Sequence, residues 1–330
     1  MKATFIAVVS AVVVSAGAAV AEFPERDLQG IIQWGAGGST DVVMRAVTPH
    51  AEEILGRSVV MTNRTGGAGA IATRFVASQR ADGYTLLMGA ENPQTYKVMG
   101  LGDMDYSDFT PITILARGVP VIVANTDAPF DDFAGMIEYV QANPGQIRVG
   151  STGPGGVPSV VTAMLESAVE LPMTAVPYDG DGPAQTALMG GAVQVLPAVM
   201  GAAIENIRAG RVKPIVLIDN QRNDLLPDVP AVTETHPELE KFLPWGPFFG
   251  IFVAKDTPEE AVAKLREAFG TSAEQEGFRQ LMDDRGFVHM NITGEEAEDF
   301  LTRFQSVTSW LVYDAGVAKN SPEDFGIARP

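Results

Sequence analysis

The 330-residue chain contains no cysteine, which excludes disulfides, thiol nucleophiles and Cys-ligated zinc or iron–sulfur centres together. Its stability has to come from burial. Histidine is scarce: His50, His236 and His289 are scattered without metal-ligand spacing, and surface or cap positions are expected for them. Positive charge is thin as well, with 23 Lys and Arg against 41 Asp and Glu and a formal net charge of −18. That balance argues against nucleic acid as a partner. No G-x-S-x-G or G-x-x-x-x-G-K-[ST] occurs, so nucleophile-elbow hydrolases and P-loop enzymes lose sequence support. Acidic residues are plentiful, but abundance singles out no catalytic pair. No metal or cofactor is expected.

Long apolar runs are also missing beyond residue 21, which argues for a soluble mature chain. Before it, Met1-Lys2 is a short basic start, Ala3 to Val20 is small and apolar, and Ala19-Val20-Ala21 fits an A-x-A site. The run is Ala-rich and free of leucine, so it reads as a secretory signal cleaved after Ala21 and not as an anchor. The remainder, residues 22–330, is long enough for two ordinary domains.

What is present is an alternation of short apolar runs with helical patterns, the mark of an α/β sheet protein. Gly30 to Gln33, Val59 to Met61 and Thr85 to Met88 read as strands, with helices over Asp41–Leu55 and Ala70–Arg80. Pro49 is expected to kink or split the first helix. Pro111 to Ala124 holds two strand-like runs, and from Asp131 the pattern restarts as a second unit. Near the end, Thr257-Pro258-Glu259-Glu260 predicts a helix start and Gly270 its stop, while Thr293 caps a further amphipathic helix.

Three glycine turns share one design: GAGGSTD at Gly35–Asp41, GGAGA at Gly66–Ala70 and GSTGPGG at Gly150–Gly156. Each follows a strand candidate and opens a helix. Glycines allow close backbone approach, and the free amides at a helix start carry partial positive charge. Such a turn can hold a carboxylate or phosphate without Lys or Arg, or it can be a tight connection that binds nothing. Gly67-Ala68-Gly69-Ala70-Ile71-Ala72 also fits G-x-G-x-x-A with Glu91 about 20 residues on. However, Asn63-Arg64-Thr65 separates those glycines from their strand, and a nucleotide site is not expected there.

The series QWGAGGSTDVVMR, NRTGGAGAIATRFVASQRADGYTLLMG, YSDFTPITILA, ANPGQIRVGSTGPGG, VPYDGDGPAQTALMGGAVQV, LPDVPAVTET and WGPFFGIFVAKDTPEEAVAKL resembles the extracytoplasmic receptors of tripartite tricarboxylate transporters, the Bug-type solute-binding proteins. It covers nearly all of the mature chain in order. The resemblance implies a type II periplasmic-binding-protein fold, two α/β lobes closing on a small molecule, with residues 22–124 plus 226–330 as lobe one and 125–225 as lobe two. It implies a non-enzymatic, monomeric periplasmic receptor that delivers a small carboxylate (a di- or tricarboxylate, or an aromatic acid) to membrane permease subunits. An exported enzyme on a similar fold, or a sensor for a membrane kinase, would share these features.

Carried over by motif, the first turn supplies Gly37, Gly38, Ser39, Thr40 and Asp41, and the second-lobe turn Ser151, Thr152, Gly153 and Gly156. Tyr178, Asp179 and Gly180 match a third contacting segment. Asp41 cannot donate when ionised, so the turn itself, a water or an i,i+4 pair with Arg45 is its expected business. The family commonly has small and hydroxyl residues where this chain has Glu91 and Asn92. Glu91 would repel a bound carboxylate unless protonated, turned away or paired with a cation on the ligand. Trp34 and Trp245 are candidates either for stacking on a ligand or for the core.

Overall fold

The computed structural model describes residues 23–330, and the expected signal at residues 1–21 lies outside them. In chain order the elements are β1 (Leu28–Ile32), α1 (Ser39–Leu55), β2 (Val59–Asn63), α2 (Ala70–Ala77), β3 (Thr85–Ala90), α3 (Tyr96–Met99) and β4 (Phe109–Arg117). There follow β5 (Pro120–Asn125), α4 (Phe133–Ala142), β6 (Arg148–Ser151), α5 (Val157–Glu166), β7 (Thr174–Pro177), α6 (Asp181–Met189), β8 (Val195–Val199), α7 (Met200–Arg208) and β9 (Val212–Leu217). The chain closes with β10 (Phe248–Ala254), α8 (Glu259–Ala273), α9 (Glu276–Arg285), β11 (Val288–Ile292) and α10 (Gly294–Asp314).

These strands form two mixed sheets, ordered β11-β4-β10-β3-β1-β2 and β7-β6-β8-β5-β9. β2, β1 and β3 run parallel, as do β7, β6 and β8, because a helix returns the chain between successive members. β10 lies antiparallel between β3 and β4, so a segment from the last third of the chain completes the middle of the first sheet. β5 and β10 are buried almost end to end, as expected of strands covered on both faces.

Two crossings connect the sheets. The first is only Gly118-Val119, between β4 and β5; the second runs from β9 to β10. They touch: the Gly118 amide donates to the Pro247 carbonyl at 2.7 Å. A Cβ on Gly246 would lie 1.9 Å from the Gly118 carbonyl oxygen, so the contact requires glycine. The chain changes sheet between Arg117 and Pro120, because β5 pairs antiparallel with β8 and β9.

Three local expectations need correction. Pro49 neither ends nor divides α1, which runs unbroken from Ser39 to Leu55. Pro49 and Arg45, whose carbonyl loses its partner, are both on the exposed side, while Val43, Met44, Val47, Ala51 and Leu55 remain buried. Gly270 does not stop α8, which continues to Ala273 because Phe269, Ser272 and Ala273 are buried, with the Ser272 hydroxyl on the Val47 carbonyl. The Thr257 hydroxyl turns back to the Ala254 carbonyl and does not cap the helix.

The two glycines predict opposite effects. Gly246→Ala is expected to lower unfolding free energy by about 1–3 kcal/mol, since backbone opposes the new methyl. Gly270→Ala meets nothing nearer than the Asn291 Oδ1 at 3.8 Å and is expected to raise it by about 0.5–1 kcal/mol. Urea denaturation of both variants checks the pair; a stabilised Gly246→Ala would contradict the crossing contact.

Candidate functional site

The carboxyl ends of β1, β3, β6, β7 and β8 face a common cleft between the sheets, where ligands of open α/β folds are usually held. A small cavity there is open to solvent. Gly38, Ser39 and Thr40 border it from the first turn of α1, Val157 and Pro158 from that of α5, and Asp181 from that of α6. The opening amides of a helix have no acceptor inside it, so three partly positive helix ends converge on one space. Trp34, Thr152, Pro197, Val199, Pro247 and Phe249 add a largely apolar wall, with Ala90 and Glu91 at the end of β3.

The cleft is closed by backbone lying on backbone. The Gly35 amide donates to the Asp179 carbonyl at 3.0 Å, and the Ser39 hydroxyl to Asp181 Oδ2 at 3.3 Å. A Cβ on Gly182 would lie 2.4 Å from the Ala36 carbonyl oxygen, and one on Gly180, at φ +135°, 3.0 Å from the Gly35 nitrogen. On the other flank the Asn92 side chain donates to the Gly155 carbonyl at 3.3 Å, and Gly155 lies against Thr95.

Of the residues singled out in the sequence, Trp34, Gly38, Ser39, Thr40, Glu91 and Thr152 line the cavity. The others are not among the lining residues. Asp41 sits behind the turn, where it accepts from the Gly37 amide at 3.0 Å, from Arg45 at 2.8 Å and from Asn63 at 2.9 Å. Its carboxylate thus both braces the turn and forms the i,i+4 pair, and it occupies the Gly37 amide. The Ser151 hydroxyl accepts from the Gly153 amide, and a Cβ on Gly156 would collide with Thr152, so these three shape the second turn. Asp179 and Gly180 lie at the contact between the halves, while the Tyr178 amide donates to the Ser151 carbonyl at 2.8 Å within the second half. Trp245 donates to Thr308 and lines a separate depression with Arg117 and Arg303.

The GGAGA turn packs against a buried side chain. A Cβ on Gly69 would overlap the Gln33 side chain, which fills the space. Buried Gln33 accepts from the Ala90 amide at 2.9 Å and donates to the Tyr96 hydroxyl at 2.9 Å, which in turn donates to the Ala68 carbonyl. The ends of β1 and β3, α3 and the GGAGA turn are joined through the Gln33 and Tyr96 side chains. The histidines meet Glu53, Glu238 and the Ala273 carbonyl, none of them at the cavity.

Sequence reasoning missed Asp181 and the apolar wall. Asp181 adjoins the matched Tyr178–Gly180 segment, and its position as the first residue of a helix after glycine was the available signal. It matters because no Lys, Arg or His among the described residues lines the cavity. Burial pushes the Asp181 carboxyl up to about 6, with hydrogen bonds from Val199, Ser39 and Gln185 pulling it back. Burial pushes Glu91 up to about 8; its own backbone amide opposes this and the nearby Asp181 adds to it.

A family model described as the tripartite tricarboxylate transporter family receptor matches residues 43–307. The protein BugT of Bordetella pertussis is 26% identical over 304 residues, covering 91% of this chain and 90% of its own. Among solved structures, the periplasmic binding protein BugD superposes with a TM-score of 0.85 at 27% identity, covering 90% of this chain and 100% of its own. MatC of Rhodopseudomonas palustris, solved with bound malate, superposes with a TM-score of 0.79 at 26% identity, covering 89% and 99%.

The buried acid gives a pH signature. Because the folded pKa of Glu91 lies above its unfolded value, the native state binds more protons between about pH 4.5 and 8, and stability falls as pH rises through that window. Glu91→Gln is expected to remove most of this slope and to be more stable than the wild type at pH 8.5, by on the order of a few kcal/mol. Denaturant midpoints at pH 5.5, 7 and 8.5 check this; parallel profiles for the two proteins would contradict it.

Proposed function

Because the chain belongs to the tripartite tricarboxylate transporter receptor family, we propose that it is an extracytoplasmic solute receptor. It captures a small carboxylate in the cleft between its two sheets and presents it to the permease in the membrane. The observation that carries the reading is the convergence of the α1, α5 and α6 starts, with Ser39, Thr40 and Thr152, on one small cavity. Charge-assisted hydrogen bonds contribute roughly 1.5–3 kcal/mol each, and a helix start adds about 0.3–1. A few such donors hold a carboxylate without a basic side chain. The malate bound by MatC is a solute of this kind.

The two sheets with their helices act as the two lobes in this reading, and the adjoining crossings at Gly118 and Gly246 are the place where they turn. Donors on both lobes make ligand binding favour the closed form, since only that form offers both sets. Export through the signal at residues 1–21, and function as a monomer, belong to the same proposal.

Ser39→Ala and Thr152→Ala are each expected to weaken carboxylate binding by about tenfold or more, as loss of one bond to a charged group implies. Melting temperature without ligand should move by no more than a few degrees. Isothermal titration with a panel of mono-, di- and tricarboxylates checks this. Unchanged affinity in both variants would overturn the assignment of these hydroxyls.

A further inference from the structure

The cavity is asymmetric in a way that a purely anionic solute does not explain. On the α1 and α5 side it offers donors: the helix starts, Thr40 and Thr152, with the Ser39 hydroxyl turned to Asp181. Glu91 and Asp181 supply acceptors, and no Lys, Arg or His stands among the described lining residues to neutralise them. Glu91 is 3% exposed. Apart from its own backbone amide, no donor or cation among the described residues pairs with its carboxyl group. This buried carboxyl borders an open cavity and meets no basic side chain among the described residues that line it.

We propose that the captured solute carries a cationic nitrogen together with its carboxylate, and that Glu91 and Asp181 form the subsite for that nitrogen. The inference rests on reading the helix starts as the carboxylate grip and adds the opposite pole. Glu91 comes from the end of β3 and Asp181 from the start of α6, so the nitrogen joins the two halves as the carboxylate does. A solute with both groups matches each side of the cavity with its complement. A dianion would place a second negative charge against two acids in a space with no base.

Proton traffic follows. In the ligand-free protein at neutral pH Glu91 holds its proton, because burial raises its affinity for one. An arriving ammonium favours the carboxylate, so the Glu91 proton leaves to solvent as the ligand binds. The other titratable groups acting on Glu91 are Asp181 from across the cleft and the buried hydroxyls of Tyr96 and Tyr106, both held neutral, with Arg74 acting on Tyr96. Asp41 is engaged with Arg45 behind the turn. Affinity for a zwitterion therefore rises with pH up to about 8.

The test is isothermal titration of the purified protein with matched acids that differ only in an amino group: glutarate and glutamate, butyrate and 4-aminobutyrate, propionate and β-alanine. The amino member of the best-binding pair should bind about tenfold tighter or more. Its affinity should rise from pH 6 to 8, with net proton release measured in two buffers of different ionisation enthalpy. Glu91→Gln and Asp181→Asn should each shrink the preference. Tighter binding of the amino-free members, with affinity falling above pH 8, would overturn the inference while leaving the carboxylate receptor in place; there Glu91 would be a protonated donor. Failure of every acid in both forms would overturn the receptor reading and the inference together. Should Glu91→Gln fold poorly, the pH dependence and proton release of the wild type decide alone.

Discussion

The contact of two main chains across the cleft, with no side chain between them, is the constraint from which the rest of the site follows. Gly35 meets Asp179, and Gly182 meets Ala36, at distances that leave no space for a Cβ. Only at that separation do the starts of α1 and α6 border the same cavity, and only there does Ser39 reach Asp181. Glycine serves here as a distance setter between two sheets. The crossing contact of Gly118 with Gly246 does the same at the connection between them, so closeness at the cleft and closeness at the pivot rely on one device.

Much of this frame was legible in the sequence. Glycines between a strand and a helix marked two turns, and six of the residues named there and near them border the cavity. Trp34, 8% exposed, belongs to the core and also lines the cavity. Other features were hidden for physical reasons. Asp41 takes up the Gly37 amide through a side-chain bond that a motif does not display. The placement of β10 between β3 and β4 depends on pairings more than 100 residues apart, which local periodicity does not encode. Pro49 and Gly270 carried breaker signals that tertiary burial overrode: exposure of the freed carbonyl in one helix, and a buried last turn in the other.

Electrostatics divides the molecule into two regimes. On the surface, a strong excess of acid is solvated and screened over roughly 8 Å. At the cleft, burial pushes two carboxyl groups toward their neutral forms. Net charge therefore says little about what the cleft accepts. The orientation of three helix ends and the protonation of two side chains decide it, and both are properties of the fold and not of composition.

The Gln33 bridge has a consequence for what such a receptor accepts. Because one buried amide and the Tyr96 hydroxyl tie the ends of β1 and β3 to α3 and the adjoining glycine turn, the wall behind the cavity is fixed independently of the side chains that project into it. Glu91 stands directly after the residue that Gln33 anchors, on a rigid mount. Substitution at such a position changes chemistry while leaving geometry alone. On such a frame, what the cavity accepts is set by a few side chains at fixed stations, separately from the contacts that fold the chain.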